Sequence, residues 1–179
     1  GGIGMSALAK FFLYKGVEVS GYDRSKTELT LALSNLGSNI IYNDDISSIK
    51  DIESVDLVVF TPAISSNNVQ LNHFKKTNIP VHKRAYILGE ITKSYQTIAV
   101  AGTHGKTTTS SIVAHLLHQN NCGGVSFIGG ICTNYNSNIL LQEGQNAVVE
   151  ADEYDRSFLQ LDPSAIILTS MDSDHLDIY

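Results

Sequence analysis

The stretch 102–109, with the sequence Gly-Thr-His-Gly-Lys-Thr-Thr-Thr, constrains the fold of this chain more than any other. An apolar run at 97–101 precedes it and predicts a β-strand. After it, Val113, Leu116 and Leu117 fall on one face of a predicted helix. Strand, glycine loop and amphipathic helix stand in the order that a phosphate-binding loop requires. The sequence therefore predicts at least one βα unit built around this loop.

The residue types in the loop suit a nucleoside triphosphate with Mg²⁺. Gly102 and Gly105 allow backbone N–H groups to turn toward phosphate oxygens at the N-terminus of the helix. Lys106 can reach the β- and γ-phosphates, and the Thr107 hydroxyl is placed to ligate the metal. Val100 stands where the longer phosphate-loop pattern has its first glycine, so this is a shorter form. An isolated match can also be a simple glycine turn, but the flanking strand and helix favour the phosphate loop.

Composition excludes several other classes of protein. Of the 179 residues, 42% are hydrophobic and 17% are charged, which is typical of a soluble globular chain. The net charge of −6 argues against nonspecific nucleic-acid binding, and no apolar stretch is long enough to predict a membrane span. Cys122 and Cys132 fit no C-x-x-C pattern, so we expect them to be unpaired in a reducing cytoplasm. The sequence leaves the oligomeric state open.

Apolar runs and helical patterns alternate along the first half of the chain. Val55 begins a nearly continuous apolar run to Phe60, which predicts a central parallel strand covered on both faces. The chain starts inside a glycine turn that leads into a helix, so the strand expected before this turn is missing. The other predicted strands lie at 17–23, 39–42 and 79–82, and the other predicted helices at 26–36, 69–76 and 84–91.

A second α/β region begins after the polar residues 93–96. Its further strands, at 147–151 and 165–169, each end in acidic residues. Parallel sheets bind ligands at the carboxyl ends of their strands, so we expect both acidic clusters beside the phosphate loop. We therefore predict an α/β chain in two parts. Residues 1–94 form a Rossmann-like parallel-sheet domain, and residues 95–179 form the N-terminal part of a phosphate-loop α/β ATPase domain.

Glu150 is the best candidate for a metal ligand, because it ends a core strand where a carboxylate rarely lies without a compensating charge. Magnesium bound to a nucleotide needs only one or two protein carboxylates. The following acids, Asp152, Glu153 and Asp155, are interpreted as a solvated turn. His175 on its own is compatible with either a ligand or a surface residue. We interpret the remaining helical histidines, His115 and His118, as solvated.

The N-terminal turn predicts a second nucleotide site. Gly1 and Gly4 match the last part of G-x-G-x-x-G, and Asp23 follows at the end of the next predicted strand. This pattern fits NAD or FAD. A nucleotide sugar such as a UDP-sugar satisfies it equally well, because the same turn holds any pyrophosphate at a helix N-terminus.

Four motifs taken together resemble the Mur ligase family, in order and over essentially the whole chain. They lie at 1–7, 102–108, 149–153 and 174–177. The resemblance implies UDP-N-acetylmuramate as the substrate of the first domain, with the glycine turn near its diphosphate and Asp23 and the 61–63 turn near its uridine. The implied contacts are Gly2, Gly4, Met5, Ser6, Asp23, Thr61, Pro62 and Ala63.

The resemblance also implies that the second domain binds ATP and Mg²⁺. The implied metal ligands are Thr107, Glu150 and His175, and the implied catalytic residues are Lys106, Glu150 and His175. The implied ATP contacts are Gly102, Thr103, His104, Gly105, Lys106, Thr107 and Thr108.

In the reaction that the resemblance implies, a lactyl carboxylate attacks the γ-phosphate and an amine then displaces phosphate from the acyl phosphate. His104 and the run Glu-Ala-Asp-Glu at 150–153 favour the member that adds L-alanine over the later amino-acid-adding enzymes. A murein peptide ligase shares both features and remains the alternative within the family. A noncatalytic nucleotide-binding module would explain the phosphate loop but not the N-terminal turn. An NAD-dependent oxidoreductase would explain that turn but not Lys106 and Thr107.

Two departures from the family pattern limit the resemblance. Ser170 stands where the family leads us to expect asparagine, so this chain has no amide at that position. The family also has a C-terminal domain that closes over ATP and contributes amino-acid recognition. We expect this domain to lie outside the 179 residues, and we predict that these residues alone do not catalyse ligation.

Overall fold

The computed structural model describes residues 2–172, except for the side chains of residues 154 and 155. The chain divides into two compact units, Gly1–Ile87 and Leu88–Tyr179. The domain boundary predicted between residues 94 and 95 stays a prediction. Within the described residues, no helix combines the length and apolarity that crossing a bilayer requires.

The first unit is built from parallel strand pairs connected through helices. Strand β1 pairs with β2, and β3 pairs with β4, both in parallel register. This arrangement confirms the predicted α/β class. The elements are α1 (Ile3–Tyr14), β1 (Ser20–Tyr22), α2 (Glu28–Asn35), β2 (Asn39–Ile41), β3 (Val58–Phe60), α3 (Val69–Phe74), β4 (Val81–Lys83) and α4 (Arg84–Thr92), the last of which continues into the second unit.

The strands of the first unit are shorter than the apolar runs predict. A 3₁₀ helix at Ile52–Ser54 leads into the run at 55–60, and only Val58–Phe60 pairs with β4. All three residues of β3 are half-buried. The prediction of a strand covered on both faces was therefore wrong for this unit.

Side-chain caps set the starts of α2 and α3. The Thr27 hydroxyl accepts the Thr30 N–H, and the Thr30 hydroxyl accepts the Thr27 N–H, which forms a capping box before α2. This explains why the helix begins at residue 28 although the pattern predicts residue 26. In α3, the Asp44 carboxylate accepts the N–H groups of Val69 and Gln70. Such caps stabilise a helix by about 1 kcal/mol each, and α3 is only six residues long.

The second unit contains a five-stranded mixed sheet in the order β7-β6-β8-β5-β9. Strand β6 runs antiparallel to β7, and every other neighbouring pair is parallel. The hairpin of β6 and β7 was not predicted. The elements are β5 (Gln96–Ala101), α5 (Lys106–Gln119), β6 (Gly124–Cys132), β7 (Ser137–Leu141), β8 (Asn146–Glu150), a 3₁₀ helix (Tyr154–Gln160) and β9 (Ala165–Leu168).

The core of this unit places the phosphate loop at the carboxyl edge of the sheet. Val100 on β5 and Val148 on β8 are fully buried, and Ala114 on α5 and Ile128 on β6 pack in the same cluster. Because β5 lies between β8 and β9, the loop that follows it is flanked by the ends of both neighbours. Residues that follow β8 and β9 can therefore reach the loop.

Replacing Gly89 with alanine is expected to destabilise the second unit. In an ordinary helix the change would stabilise by about 1 kcal/mol. At Gly89, however, a Cβ would lie 2.2 Å from the backbone oxygen of Gln160, which cannot move aside as a side chain can. An overlap of this kind costs about 1–3 kcal/mol or more, so it outweighs the gain in helix propensity.

A thermal-shift measurement on the full-length protein checks this expectation, with a drop of several degrees predicted for Gly89→Ala. Gly4→Ala, also within a helix, is the matched control. Its added Cβ meets the guanidinium tip of Arg84 at 3.0 Å, and that flexible tip can shift. Equal melting temperatures for the two variants would contradict the packing argument.

Candidate functional site

The loop between β5 and α5 depends on glycine at two positions. Gly102 has φ of 127°, and Gly105, the N-cap of α5, has φ of 81°. A Cβ on Gly102 would also lie 2.2 Å from Thr169 Oγ1 and 2.8 Å from the Ser170 nitrogen. The first N–H groups of α5 have no acceptor within the helix and carry the positive end of its dipole. The geometry therefore suits a phosphate group at the start of α5.

The segment after β9 braces the loop. The backbone oxygen of Ser170 accepts the Thr103 N–H at 3.2 Å, and the Ser170 hydroxyl accepts the His104 N–H at 3.0 Å. The Thr169 hydroxyl lies 2.5 Å from the His104 oxygen and is placed to donate to it. At the position where the family resemblance predicts asparagine, serine thus contributes two acceptors to the loop.

Asp172 adds to this bracing. Its N–H donates to the Thr103 hydroxyl at 2.9 Å, and its carboxylate lies 3.3 Å from His104 Nδ1. Both side chains are largely exposed, so this contact itself contributes little to stability. The backbone contact is the more important one for the position of the loop.

Glu150 lies against the loop and is held by three donors. Its Oε1 accepts the Gly129 N–H at 2.7 Å and lies 2.8 Å from the Ser110 hydroxyl, which is fully buried. Its Oε2 accepts the Thr107 hydroxyl at 3.1 Å. The carboxylate is therefore oriented with one oxygen toward the threonine of the loop.

The donor set at this point fits magnesium. Two neighbouring ligands on an octahedral Mg²⁺ ion with bonds of about 2.1 Å lie about 3 Å apart, and the Thr107 and Glu150 oxygens are 3.1 Å apart. Between residues 2 and 172 there is no group of three or more His, Cys, Asp or Glu side chains suited to a metal. One carboxylate and one hydroxyl is the sparse protein contribution that nucleotide-bound Mg²⁺ uses. The proposed ligand His175 lies outside the described residues.

Lys106, at the start of α5, pairs with an acidic residue other than Glu150. Its Nζ donates to the Gly102 oxygen at 2.6 Å and to Glu153 Oε1 at 2.8 Å. The side chains of Lys106 and Glu153 are only 18% and 23% exposed. The interpretation of Glu153 as part of a solvated turn was therefore wrong, because this carboxylate compensates the charge of the loop lysine.

In the first unit, the start of α1 forms the other candidate site. Gly2 is the N-cap with φ of 59°, and Gly4, Met5 and Ser6 lie in the first turns of the helix. The buried Ser6 hydroxyl donates to the Ile3 oxygen at 2.8 Å, so it is used within the helix. The position of a Cβ on Gly4 is 3.0 Å from Arg84 Nη1, which places a guanidinium beside this helix start.

The remaining predicted contacts of the first unit follow β1 and β3. Asp23 comes directly after β1, where its carboxylate accepts the Ser25 N–H at 3.0 Å. Residues 61–63 follow β3, and Pro62 and Ala63 are exposed. Asp23 and residues 61–63 each lie at the carboxyl end of a parallel strand. This is the edge at which parallel sheets bind ligands.

Comparison with known proteins assigns the family. Residues 1–96 match the model described as the Mur ligase family, catalytic domain, and residues 100–179 match the Mur ligase middle domain. The chain belongs to the Mur ligase family. The relationship covers both candidate sites, since the turn at α1 lies in the first match and the phosphate loop in the second.

Individual Mur ligases match over the whole chain. The UDP-N-acetylmuramate–L-alanine ligase of Flavobacterium johnsoniae is 51% identical over 181 residues, which cover 100% of this chain and 40% of the relative. The crystal structure of the UDP-N-acetylmuramate-alanine ligase from Thermotoga maritima superposes with a TM-score of 0.89 at 33% identity, covering 99% of this chain and 41% of that one. The chain thus spans about 40% of the length of the curated relatives that it matches.

Another solved Mur ligase has the same fold. The UDP-N-acetylmuramate:L-alanyl-γ-D-glutamyl-meso-diaminopimelate ligase of Neisseria meningitidis superposes with a TM-score of 0.89 at 26% identity. The match covers 100% of this chain and 60% of that one. Together these structures confirm the predicted α/β class, with parallel strand pairs in both parts of the chain.

Sequence reasoning missed several residues of this Mur ligase chain that contact the candidate sites. Gly129 lies on the unpredicted strand β6, and a Cβ there would lie 2.4 Å from Glu150 Oε2. Ser110 follows the loop by one helical turn, so the spacing from Thr107 could have indicated its direction. Arg84 was recognised only as the start of a helix. No sequence signal connects it with the distant glycine turn.

Two histidines proved to have structural contacts. His115 Nδ1 lies 2.8 Å from the Tyr135 hydroxyl, and the His118 ring meets the same tyrosine edge-on at 5.2 Å between ring centres. Both histidines are half-buried. Their interpretation as solvated residues was wrong, because Tyr135 follows β6 and packs against the helix that carries them.

Proposed function

We propose that the full-length protein is an ATP-dependent ligase that joins L-alanine to the lactyl carboxylate of UDP-N-acetylmuramate. The observation that carries the proposal is the phosphate loop in which the Thr107 hydroxyl faces Glu150 Oε2 at 3.1 Å, next to Lys106. The choice of L-alanine is supported by the relative of 51% identity that is named for this activity. The residues of the second unit then act on ATP, and those of the first unit on the sugar nucleotide.

The proposed ATP site is the loop and the first turn of α5. Backbone N–H groups and the Lys106 ammonium hold the phosphates, and Thr107 and Glu150 hold Mg²⁺, with His175 as the further ligand implied by the family. When bound, Mg²⁺ offsets the negative charge on the transferring phosphoryl group. The proposed phosphate contacts are Gly102, Thr103, His104, Gly105, Lys106, Thr107 and Thr108.

The proposed sugar-nucleotide site is the start of α1 with the ends of β1 and β3. Gly2 and Gly4 would contact the diphosphate, where the helix N-terminus and the nearby Arg84 guanidinium favour negative charge. Met5 and Ser6 belong to the same turn. Asp23 and the turn Thr61, Pro62 and Ala63 would contact the uridine side.

The chemistry requires positioning and charge stabilisation by these residues. Lys106 stabilises the γ-phosphoryl group while the lactyl carboxylate attacks it, which yields an acyl phosphate and ADP. The amine of L-alanine then attacks the activated carbonyl carbon, and phosphate leaves. Ser110 and the Gly129 N–H keep Glu150 aimed at the metal position during both steps.

A cytoplasmic setting agrees with this proposal. ATP and sugar nucleotides are soluble substrates, and the two cysteines, Cys122 and Cys132, are both free. We also propose that the first domain comprises residues 1–94 and that residues 95–179 belong to the ATP-binding domain.

Phosphate release by the full-length protein tests the proposed function. We expect release that depends on ATP, UDP-N-acetylmuramate and L-alanine together. Release with a preformed tripeptide but not with L-alanine would instead indicate a murein peptide ligase. Calorimetric titration supplies the second arm, in which binding of NAD without binding of UDP-N-acetylmuramate would overturn the ligase proposal. Mg-ATP binding with no release under any combination would indicate a noncatalytic module.

A further inference from the structure

The loop lysine is already engaged by protein groups in this structure. Of the three N–H donors on the Lys106 ammonium, one reaches the Gly102 oxygen at 2.6 Å and another reaches Glu153 Oε1 at 2.8 Å. The Gly102 contact lies within the loop and is compatible with a bound phosphate. The contact with Glu153 pairs the charge of the lysine with a carboxylate. A triphosphate that binds Lys106 must displace this carboxylate.

The Glu153 carboxylate also places negative charge beside the phosphate position. Glu150 also lies against the loop, with an oxygen 3.1 Å from the Thr107 hydroxyl. With Lys106 at +1 and each of these two carboxylates at −1, the three side chains sum to −1. A nucleotide phosphate that arrives without a metal ion therefore meets like charge. A nucleotide that carries Mg²⁺ brings two positive charges and meets much less repulsion.

We propose that Glu153 is a specificity-determining residue that makes the site select the metal-bound nucleotide over the metal-free one. The inference rests on the proposed function, because it takes the loop to be the ATP site. Glu153 holds Lys106 when the site is empty and repels metal-free phosphates. Because Lys106 and Glu153 are both mostly buried, solvent screens this interaction less than it screens a surface pair.

Binding of a nonhydrolysable ATP analogue to the full-length protein, with Mg²⁺ or with EDTA, tests the proposal by calorimetry. For Glu153→Gln we expect affinity for the metal-free analogue to rise about tenfold and affinity for the Mg²⁺ form to rise at most about threefold. Release of Lys106 favours both forms, whereas removal of the negative charge favours chiefly the metal-free form. Selectivity for the metal-bound nucleotide therefore decreases.

Two further variants test whether the negative charge at position 153 is the cause of the selectivity. Glu143→Gln removes the same charge from an exposed position in the turn between β7 and β8 and should leave selectivity unchanged. Glu153→Asp keeps the charge and should keep selectivity near that of the unmodified protein, which also covers the case in which Glu153→Gln fails to fold.

Unchanged selectivity in folded Glu153→Gln, an equal change in Glu143→Gln, or a loss of selectivity in Glu153→Asp would overturn the inference. In each of these cases the proposed function would stand, provided that the unmodified protein binds the Mg²⁺ form. Absence of any nucleotide binding to the unmodified protein would instead remove the proposed function, and the inference with it.

Discussion

The variant Lys106→Met is expected to reduce the rate of ligation by the full-length protein by about a thousandfold. Methionine has nearly the same length but no positive charge, so the loop backbone can keep its shape. The lost interaction is one that strengthens as charge develops on the transferring phosphoryl group. For this reason kcat should fall much more than affinity for Mg-ATP.

The environment of Lys106 supports this separation of rate from binding. The lysine side chain is only 18% exposed and is anchored to the Gly102 oxygen at 2.6 Å, so its ammonium is held close to the loop before a nucleotide arrives. Once a triphosphate has displaced Glu153 from Lys106, a charge held in this way requires little rearrangement at the moment of reaction. Backbone N–H groups of the loop remain in Lys106→Met and can still hold the phosphates.

Steady-state phosphate release and calorimetric binding of Mg-ATP, measured on the same preparations, check the expectation. Lys93→Met is the matched control, because Lys93 is an exposed lysine that forms an ion pair with Glu90 one helical turn away. The rate of ligation by Lys93→Met should be within about a factor of two of the rate of the unmodified protein. If Lys106→Met retained more than about a tenth of the rate, Lys106 would not stabilise the transition state as proposed.

The phosphate loop was predictable because its signal is local. Gly102, Gly105 and Lys106 occupy fixed spacings between an apolar strand and a helix, and backbone geometry alone dictates those residue types. The same logic predicted that the end of β8 would lie beside the loop, since parallel strands share a carboxyl edge. The structure brings Glu150 to within hydrogen-bonding distance of Thr107.

The hairpin of β6 and β7 was not predictable from local propensity. Strand β6 contains Gly124, Gly129 and Gly130, and glycine is unfavourable in strands and typical of turns. Its pairing with β8 on one side and β7 on the other stabilises the extended conformation instead. The missing side chain at Gly129 leaves the space that Glu150 occupies. The glycine that lowers the strand propensity of this segment therefore also shapes the site.

Acidic clusters are another case in which local pattern was insufficient. Glu150 and Glu153 are three residues apart and share the same polar surroundings in the sequence, yet one accepts hydroxyl and backbone donors and the other pairs with Lys106. The difference depends on which donors the fold brings to each carboxylate. A search for a partner of the loop lysine among strand-end acids would have identified Glu153 as a candidate.

Replacing Gly129 with alanine is expected to weaken the apparent affinity for Mg²⁺ by about tenfold to a hundredfold while leaving the fold intact. The added Cβ would lie 2.4 Å from Glu150 Oε2 and 2.9 Å from its carboxyl carbon, so the carboxylate must move. It would then lose the orientation set by the Gly129 N–H at 2.7 Å and the Ser110 hydroxyl at 2.8 Å. The displaced atoms are the end of a flexible side chain, and the backbone of β6 need not shift.

Gly123→Ala supplies a control of matched severity for this variant. There the added Cβ would lie 2.4 Å from Gln142 Oε1, again at the end of a flexible side chain in the same unit but away from Glu150. The measurements are Mg²⁺ titrations of nucleotide binding and of phosphate release, with thermal shifts on both variants. A normal Mg²⁺ requirement in Gly129→Ala would show that the orientation of Glu150 does not matter. A much lower melting temperature than that of Gly123→Ala would locate the defect in the fold, because in both variants the closest approach of the added Cβ is 2.4 Å, to the end of a side chain.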